Sequence, residues 1–392
     1  MLGEGETALM TATRTGNVAA MRVLLDRGAA VDARVVAEAD EVQPGGVQIC
    51  FGFAADNSCI ATTSIGSFPR PGWLAKTHVT RAEFIVPKEH LAEAYDDATI
   101  VVLKHQEELG LDIATDGEIR REGFIFHIAG QWDGVDCVNL GVKERYRNRV
   151  QPRPVPRITG KIVRRGAAAV EDTRFARKHT NLPLKMQVPG PMTVVDSALN
   201  EFYKDEAECA MDAAVALNAE MRELQAAGAD VIQIDEPAMT RYHDKLADYG
   251  WQALERALEG ITVPTLVHLC YGYPGTGTGP RQHEYKYSGV LPQLMKTKIS
   301  GFTVEFGRSD FDPEVLAMCG DRIVMFGCVD PGDSPVPSVD SIKRRVGGAL
   351  KHLKPQQVWL APDCGLMTIS RELAAAKLTA MITAAKDLRK GV

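Results

Sequence analysis

The sequence lacks a continuous apolar run of the roughly 20 residues that a membrane-spanning helix needs, and its N-terminus lacks the basic-then-apolar pattern of a secretion signal. It also lacks an excess of basic charge: 45 Lys and Arg residues face 51 Asp and Glu residues, a formal net charge of -6 at pH 7. Nucleic acids and anionic membrane surfaces both favour basic proteins. These absences argue against membrane and nucleic-acid partners and favour a cytosolic protein that binds small molecules.

Cysteine is also sparse, with eight residues in 392, at positions 50, 59, 137, 209, 270, 319, 328 and 364. Such scattered spacing does not describe a disulfide framework, so we expect reduced thiols, most of them small buried apolar groups. A cysteine with a chemical role must therefore be identified by its neighbours. Cys270 and Cys364 are the two whose neighbours single them out.

The composition is that of a globular protein, with 45% hydrophobic and 24% charged residues, and it excludes a disordered or fibrous chain. Residues 3–33, within a first segment 1–33, resemble a single ankyrin repeat, which is a helical unit. About three stacked repeats are needed for an independent fold, so this segment is expected to dock on the barrel or on a partner. Residues 34–58, with Pro44-Gly45-Gly46, are predicted to be a linker.

Residues 59–392 alternate short apolar runs with amphipathic helical stretches. The predicted strands are 60–65, 113–115, 184–188, 231–234, 265–269, 301–305, 323–326 and 358–360. The predicted helices are 88–109, 205–227, 250–258, 338–353 and 370–389. This alternation is typical of a parallel sheet covered by helices. Because polar residues follow nearly every strand instead of clustering at one switch point, we predict an α/β protein, a (β/α)8 TIM barrel with a small helical N-terminal extension.

Four side chains at predicted strand ends have the chemistry of metal ligands. His268 and Cys270 are two residues apart, so on an extended chain both face the same side. Glu305 ends an apolar strand, where an unpaired charge is costly, and Cys364 follows a further strand. Nitrogen, sulfur and carboxylate donors match Zn²⁺ better than an iron–sulfur cluster, which wants more cysteines. The long separations indicate a catalytic zinc site assembled by barrel closure.

Six motifs in this order resemble the catalytic domain of the cobalamin-independent methionine synthase family. They are Thr62-Thr63-Ser64-Ile65-Gly66-Ser67-Phe68-Pro69-Arg70, Asp116-Gly117-Glu118, Val188-Pro189-Gly190-Pro191-Met192-Thr193, Gln233-Ile234-Asp235-Glu236-Pro237-Ala238, His268-Leu269-Cys270 and Pro362-Asp363-Cys364-Gly365-Leu366. The resemblance implies a zinc-dependent methyltransferase that converts homocysteine to methionine. It implies zinc ligation by His268, Cys270, Glu305 and Cys364.

By the same resemblance, Ile65 and Ser67 bind the carboxylate of the substrate, while Glu118 and Asp235, the expected catalytic residues, hold its ammonium group. Zinc would supply the nucleophile, because a metal-bound thiol is deprotonated whereas a free thiol has a pKa near 8.5. An ion pair of Glu118 with Arg120 or Arg121 is the structural alternative for that residue. A helix cap is the alternative for Asp235.

The sequence departs from the folate-dependent members of the family in two ways. Their second barrel has no counterpart here, where the ankyrin-like segment and linker stand. Their histidine, which handles the proton on the folate nitrogen, aligns with Gly332. The methyl donor is therefore expected not to be folate but methylcobalamin, a corrinoid protein or a similar carrier. The basic stretch 143–165, which holds nine Lys or Arg residues, is interpreted as a solvated loop or hairpin.

Three other functions remain open at this level. A related thiol alkyltransferase, such as an epoxyalkane–coenzyme M transferase, would need basic residues for a sulfonate and would not need Glu118. A uroporphyrinogen decarboxylase-like barrel would use no metal, which the four zinc donors contradict. A non-catalytic barrel could serve the ankyrin-like segment as a binding module. A homo-oligomer is equally compatible with the sequence.

Overall fold

The structure is a computed structural model that describes residues 60–77, 82–146, 149–271, 287–309, 311–332 and 334–391. The ankyrin-like segment 1–33, the linker 34–58 and Cys59 lie outside the described residues. The predicted domain boundaries at 33 and 58 therefore stay predictions.

The centre of the fold is a parallel sheet of seven strands. Its strands are β1 (Ala61–Thr62), β6 (Lys185–Pro189), β8 (Val231–Asp235), β9 (Thr265–His268), β10 (Gly301–Glu305), β11 (Ile323–Val329) and β12 (Val358–Pro362). Their order across the sheet is β1-β12-β11-β10-β9-β8-β6. Each agrees with a predicted strand, although β1 is shorter than predicted and β11 is longer. Both faces of this sheet are covered by other parts of the protein. Its strands therefore correspond to continuous apolar runs in the sequence.

An eighth segment closes the sheet between β1 and β6. Ile113 and Ala114, from the predicted strand 113–115, form isolated parallel bridges to Thr63 and Leu184. The N–H of Ile113 donates to the Thr62 carbonyl at 3.1 Å, and the N–H of Ala114 donates to the Pro183 carbonyl at 2.9 Å. The chain therefore forms the predicted α/β barrel, with the eighth position held by two bridges rather than by a full strand.

Helices surround the barrel. They are α1 (Leu91–Leu109), α2 (Phe124–Ala129), α3 (Val170–His179), α4 (Pro191–Ser197), α5 (Glu206–Ala226), α6 (His243–Lys245), α7 (Trp251–Ala257), α8 (Tyr287–Leu294), α9 (Val339–Ala349) and α10 (Arg371–Arg389). The predicted start of two long helices is explained by their caps: Asp205 accepts the N–H of Ala207, and Ser370 accepts the N–H of Leu373. No described helix combines the length and the low polarity needed to cross a bilayer.

The barrel interior changes from apolar to polar along its axis. A compact cluster of buried side chains fills it, made of Ala61, Ile65, Ile113, Val231, Leu266, Ile323, Met325, Trp359 and Ala361. Along β8, alternate residues share a face, and Val231, Gln233 and Asp235 therefore follow one another from the apolar part toward the C-terminal end. The C-terminal mouth of the barrel is consequently lined by polar groups that stand on a packed apolar layer.

A long antiparallel hairpin is formed by β4 (Trp132–Tyr146) and β5 (Arg149–Arg164). It confirms the hairpin interpretation of the basic stretch 143–165, but it begins 11 residues earlier, at Trp132. Its base is fastened to the barrel helices by an ion pair of 2.8 Å between Arg164 and the buried Glu220 on α5. Two short strands, β2 (Ala75–Thr77) and β3 (Ala82–Phe84), form a second hairpin, and β7 (Leu199–Asn200) pairs with β5.

Candidate active site

A pocket opens at the C-terminal ends of the barrel strands. Seven of the eight predicted site residues line it: Ile65, Ser67, Glu118, Asp235, His268, Cys270 and Cys364. Several pairs of these residues are 120 or more positions apart in the sequence, and closure of the barrel brings them together as expected. Glu305 does not line this pocket among the described residues.

Three of the predicted ligands form a compact donor group. The donor atoms of His268, Cys270 and Cys364 all lie within 4.8 Å of one another, and the three residues are buried. The two Sγ atoms are 3.3 Å apart, and Cys364 Sγ is 3.5 Å from His268 Nε2. Neither cysteine forms a disulfide among the described residues. Two sulfurs and one imidazole nitrogen at this spacing fit zinc, which takes such donors in a tetrahedron.

The neighbours of His268 fix its orientation. Its Nδ1 lies 2.9 Å from Thr303 Oγ1 on β10, which leaves Nε2 directed toward Cys364. The Thr303 hydroxyl is itself held by the N–H of Leu269 at 2.9 Å. A ligand histidine in metal sites usually engages its second nitrogen in this way, because the contact sets the tautomer and the ring angle.

Replacing Thr303 with valine is therefore expected to weaken zinc affinity roughly 10- to 100-fold, since outer contacts of ligand histidines commonly have that effect. The measurement is competition for zinc against a chromophoric chelator. The matched control is Thr303→Ser, which keeps the hydroxyl and should bind zinc like the unmodified protein. A Thr303→Val protein with unchanged zinc affinity would show that this contact does not support the site.

Glu305, the fourth predicted ligand, ends β10 and is 1% exposed. Its carboxylate accepts a hydrogen bond of 2.6 Å from Ser309 and lies 3.5 Å from the N–H of Tyr271. Its own N–H donates to the hydroxyl of Tyr287 at 2.7 Å. Among the described residues it is outside the compact donor group, and its ligation of zinc stays a prediction.

The carboxylate of Asp363 braces the loop that carries Cys364. It accepts the backbone N–H groups of Phe306, Gly307 and Arg308 at 3.2, 2.8 and 2.7 Å. These donors follow β10, so Asp363 ties the end of β10 to the end of β12. The sequence motif identified Asp363 by position, but this bracing role follows only from the structure.

Glu118 and Asp235 form the acidic side of the pocket, each 9% exposed. Burial raises the pKa of Glu118 to about 7, an effect that the nearby Arg121 opposes and the charge of Asp235 strengthens. Burial also raises the pKa of Asp235. A cation between two buried acids, such as an ammonium group, would offset the cost of burying their charges.

Among the described residues, the structure contains neither of the two alternative roles, an ion pair of Glu118 with Arg120 or Arg121 and a helix cap by Asp235. Arg120 contacts Asp96 and Asp172, and Arg121 lies 3.9 Å from Asp116, so neither arginine forms the expected pair with Glu118 in the described structure. Asp235 accepts a hydrogen bond of 2.7 Å from Gln233. The helix that follows it, α6, begins only after Tyr242, and a helix-cap role for Asp235 is therefore wrong.

The turn that presents Glu118 is unusual in its backbone. Glu118 has a φ of 55°, which side-chain-bearing residues rarely adopt. Arg70 holds the turn through hydrogen bonds from its guanidinium to the carbonyls of Glu118, at 2.7 Å, and of Ile119, at 3.2 Å. A Cβ at Gly66 would lie 2.5 Å from Glu118 Oε1, so a larger residue there would displace the carboxylate of Glu118. Strain of this kind persists only where the surroundings fix it.

Several pocket residues were not predicted from the sequence. They comprise residues 153–156 of the hairpin, 124–126 of α2, and the arginines Arg70, Arg121 and Arg241. The hairpin residues had been interpreted as solvated. Their signal was weak because a hairpin that folds over a site has the same composition as one that projects into water.

A barrel with a polar pocket at the C-terminal strand ends defines the class of (β/α)8-barrel enzymes. The family model described as "Cobalamin-independent synthase, Catalytic domain" matches residues 60–387, and an ankyrin-repeat model matches residues 4–35. The chain belongs to the cobalamin-independent methionine synthase family, and it is a methyltransferase of the methionine synthase kind.

Individual relatives agree with this assignment. A methionine synthase of Sulfolobus acidocaldarius is 31% identical over 329 residues, which cover 82% of this chain and 90% of the relative. The structure of a B12-independent methionine synthase from Shewanella sp. W3-18-1 in complex with selenomethionine is 32% identical, with a TM-score of 0.79, over 85% of this chain and 98% of that one. A methyltransferase from Methanosarcina mazei, 15% identical with a TM-score of 0.57 over 84% of this chain and 94% of that one, shares the fold.

Proposed function

We propose that the protein transfers a methyl group to the thiol of homocysteine to form methionine, with Zn²⁺ as cofactor and a donor other than folate. One observation carries the proposal: a single pocket joins the cluster of His268, Cys270 and Cys364 to the buried acids Glu118 and Asp235. Homocysteine has a thiol at one end and an ammonium group at the other. The pocket offers a chemically matched partner to each end.

The protein groups orient the substrate. Glu118 and Asp235 receive its ammonium group, and Ile65 and Ser67, on the loop after β1, receive its carboxylate. The thiol then lies on the side of the two cysteines. Burial of all these groups keeps water away from the reacting sulfur and strengthens each polar contact.

His268, Cys270 and Cys364 would hold the metal, with Glu305 as the fourth ligand. Bound zinc supplies deprotonation of the substrate thiol at neutral pH. Thr303 and Asp363 keep the ligand-bearing segments in place. A sulfur lone pair of the substrate forms the new S–C bond while the bond between the methyl carbon and its carrier breaks, and the carrier keeps the electron pair.

The donor is proposed to be methylcobalamin or a corrinoid protein because no acid is presented where the folate enzymes need one. Gly332 has no side chain to give a proton, and its N–H donates to Asp330 Oδ1 at 2.9 Å. Lys377 holds the carbonyls of Asp330 and Gly332 at 2.7 and 2.6 Å. None of the described residues of this loop lines the pocket. A leaving group that needs no proton avoids the difficulty.

The identity of the thiol is tested by Glu118→Gln and Asp235→Asn. Each change removes one charged partner of the ammonium group, and hydrogen bonds to charged groups are worth about 1.5–3 kcal/mol, so KM for homocysteine should rise roughly 10- to 100-fold. Coenzyme M, a thiol without an ammonium group, is the comparison substrate in the same steady-state assay. The KM for coenzyme M should be the same in both variants as in the unmodified enzyme.

The reverse pattern, with efficient use of coenzyme M and no rise of KM for homocysteine in either variant, would favour the thiol alkyltransferase alternative. Gln357→Leu is the control for general effects of substitution, because Gln357 is buried at the opposite end of the barrel, where it binds the carbonyls of Gly320 and Arg322.

We also propose a cytosolic location, since the two reactive thiols need a reducing compartment.

A further inference from the structure

Lys185 is a charged side chain in the interior of the barrel. It begins β6 and is 0% exposed. A lone ammonium group in such a place costs several kcal/mol unless hydrogen bonds and opposite charges compensate it. Its location therefore calls for an explanation, and neither metal ligation nor the proposed methyl transfer provides one.

The two hydrogen bonds of Lys185 both lead to the proposed amino-acid subsite. Its Nζ donates to the Ile65 carbonyl at 2.8 Å and to Gln233 Oε1. Gln233 in turn donates from Nε2 to Asp235 Oδ1 at 2.7 Å. One buried ammonium group is thus connected to both arms of the subsite: directly to the segment proposed to bind the carboxylate, and through one amide to an acid proposed to bind the ammonium group.

The amide of Gln233 is oriented by this chain of contacts. Its oxygen faces a donor, Lys185, and its nitrogen therefore faces the acceptor, Asp235. The ammonium group and the carboxylate orient the amide together, each from one side. Loss of the ammonium group would remove one of the two contacts that hold Gln233, and with it part of the support of the Asp235 carboxylate.

The charges around Lys185 support the same assignment. Burial lowers the pKa of Lys185 to about 7, whereas Asp235 and Glu118 act in the opposite direction. Both acids are pocket residues, and both have pKa values raised by burial. The ammonium group therefore lies within electrostatic reach of the two acids proposed to bind the substrate.

Two other buried polar side chains, by comparison, contact only backbone groups. Gln106 binds the carbonyls of Val102 and Thr115, and Gln357 binds those of Gly320 and Arg322. Neither residue contacts a predicted site residue in the described hydrogen-bond network. Lys185 differs because one of its acceptors, Ile65, lines the pocket, and the other, Gln233, donates a hydrogen bond to the pocket residue Asp235.

From this geometry we propose that Lys185 is a positioning residue for amino-acid recognition, which sets the Ile65 carbonyl and, through Gln233, the carboxylate of Asp235. The inference rests on the proposed function, since it assumes that the pocket takes an α-amino acid. It adds a specificity element for the amino-acid end of the substrate that lies beneath the pocket and does not touch the substrate.

The test is Lys185→Met, which keeps the approximate length of the side chain and removes its charge and donors. Binding of methionine, the expected product, is measured by calorimetry on the zinc-loaded enzyme without a methyl donor. We expect the affinity to fall roughly 10- to 100-fold, as for loss of a hydrogen bond to a charged group. Zinc content should stay at the level of the unmodified enzyme, because the lysine contacts none of the proposed ligands directly.

A second variant and a control separate positioning from general stability. Gln233→Leu removes the hydrogen bond to Asp235 and one acceptor of Lys185, but it keeps the bond from Lys185 to the Ile65 carbonyl, and it should lower methionine affinity several-fold. The double variant should lose less than the sum of the two effects, since they share one path. Gln357→Leu, with a comparable loss of buried hydrogen bonds at the far end of the barrel, should bind methionine normally. Thermal unfolding of the unmodified protein and all four variants shows whether stability follows the same order.

The outcomes are distinguishable. Failure of the unmodified enzyme to bind methionine contradicts the proposed function itself. Normal methionine binding by the unmodified enzyme that both Lys185→Met and Gln233→Leu leave unchanged overturns only the role of Lys185. If Lys185→Met does not fold, Gln233→Leu decides alone: a lower affinity at an unchanged unfolding temperature supports the proposal, and an unchanged affinity overturns it.

Discussion

Substitution of Cys364 by serine is expected to remove most of the bound zinc and to lower methyl transfer on the order of a thousandfold or more. A serine hydroxyl stays protonated at neutral pH and is a poor ligand, whereas the Cys364 thiol lies 3.3 Å from Cys270 Sγ and 3.5 Å from His268 Nε2. Loss of a metal removes several kcal/mol of stabilisation from the transition state. Metal analysis of the purified protein gives the first readout, with about one zinc per chain expected before substitution.

Cys270→Ser should behave in the same way, because Cys270 belongs to the same donor group. The matched control is Cys137→Ser on the hairpin, a partly buried cysteine outside that group and outside any disulfide among the described residues, which should keep both zinc and activity. Retention of full zinc and activity by both Cys364→Ser and Cys270→Ser would place the metal elsewhere or remove it from the mechanism.

The sequence contained much of this site because barrel geometry is regular. Residues at the C-terminal ends of parallel strands converge on one mouth, and the end of each apolar run could be located to within three residues. His268 at the end of β9 and Asp235 at the end of β8 follow directly from that rule. The compact group of His268, Cys270 and Cys364 is its consequence in three dimensions.

What the sequence did not provide is information carried by side-chain partners and by irregular backbone. The left-handed conformation of Glu118 and its support by Arg70 depend on contacts between residues 48 positions apart, which no periodic pattern records. Bending of the hairpin over the pocket is a tertiary arrangement with no signature in a run of basic residues and prolines. The eighth strand was predicted at 113–115 but is reduced to two bridges, because strand length depends on neighbours as well as on composition.

Glu305 illustrates the limit of a position-based assignment. Its predicted place at the end of β10 is confirmed by the structure, and its burial agrees with the expectation that such a carboxylate needs a partner. The partner found is the hydroxyl of Ser309 at 2.6 Å. Position in a strand determines which way a side chain points. Whether the Glu305 carboxylate binds the Ser309 hydroxyl or a metal ion depends on short distances that sequence spacing does not encode.

Methylcobalamin or a methylated corrinoid protein is expected to outperform methyltetrahydrofolate as donor by roughly 10² to 10⁴ in rate, the range typical of a positioned general acid. Cob(I)alamin leaves as a stable anion, whereas the folate nitrogen must be protonated as it leaves. The assay is methionine formation from homocysteine with each donor at equal concentration. Gly332→His should raise the folate-dependent rate, because it places a titratable group where the folate enzymes carry theirs.

Gly332 is not among the described glycines with a positive φ, so its backbone conformation does not require glycine. Gly347→His on α9, where a Cβ meets no atom within 4 Å, is the matched control and should leave both rates unchanged. Efficient use of methyltetrahydrofolate by the unmodified protein would contradict the proposed donor and would require another acid. Asp330 is poorly suited, because its carboxylate already accepts the N–H of Gly332.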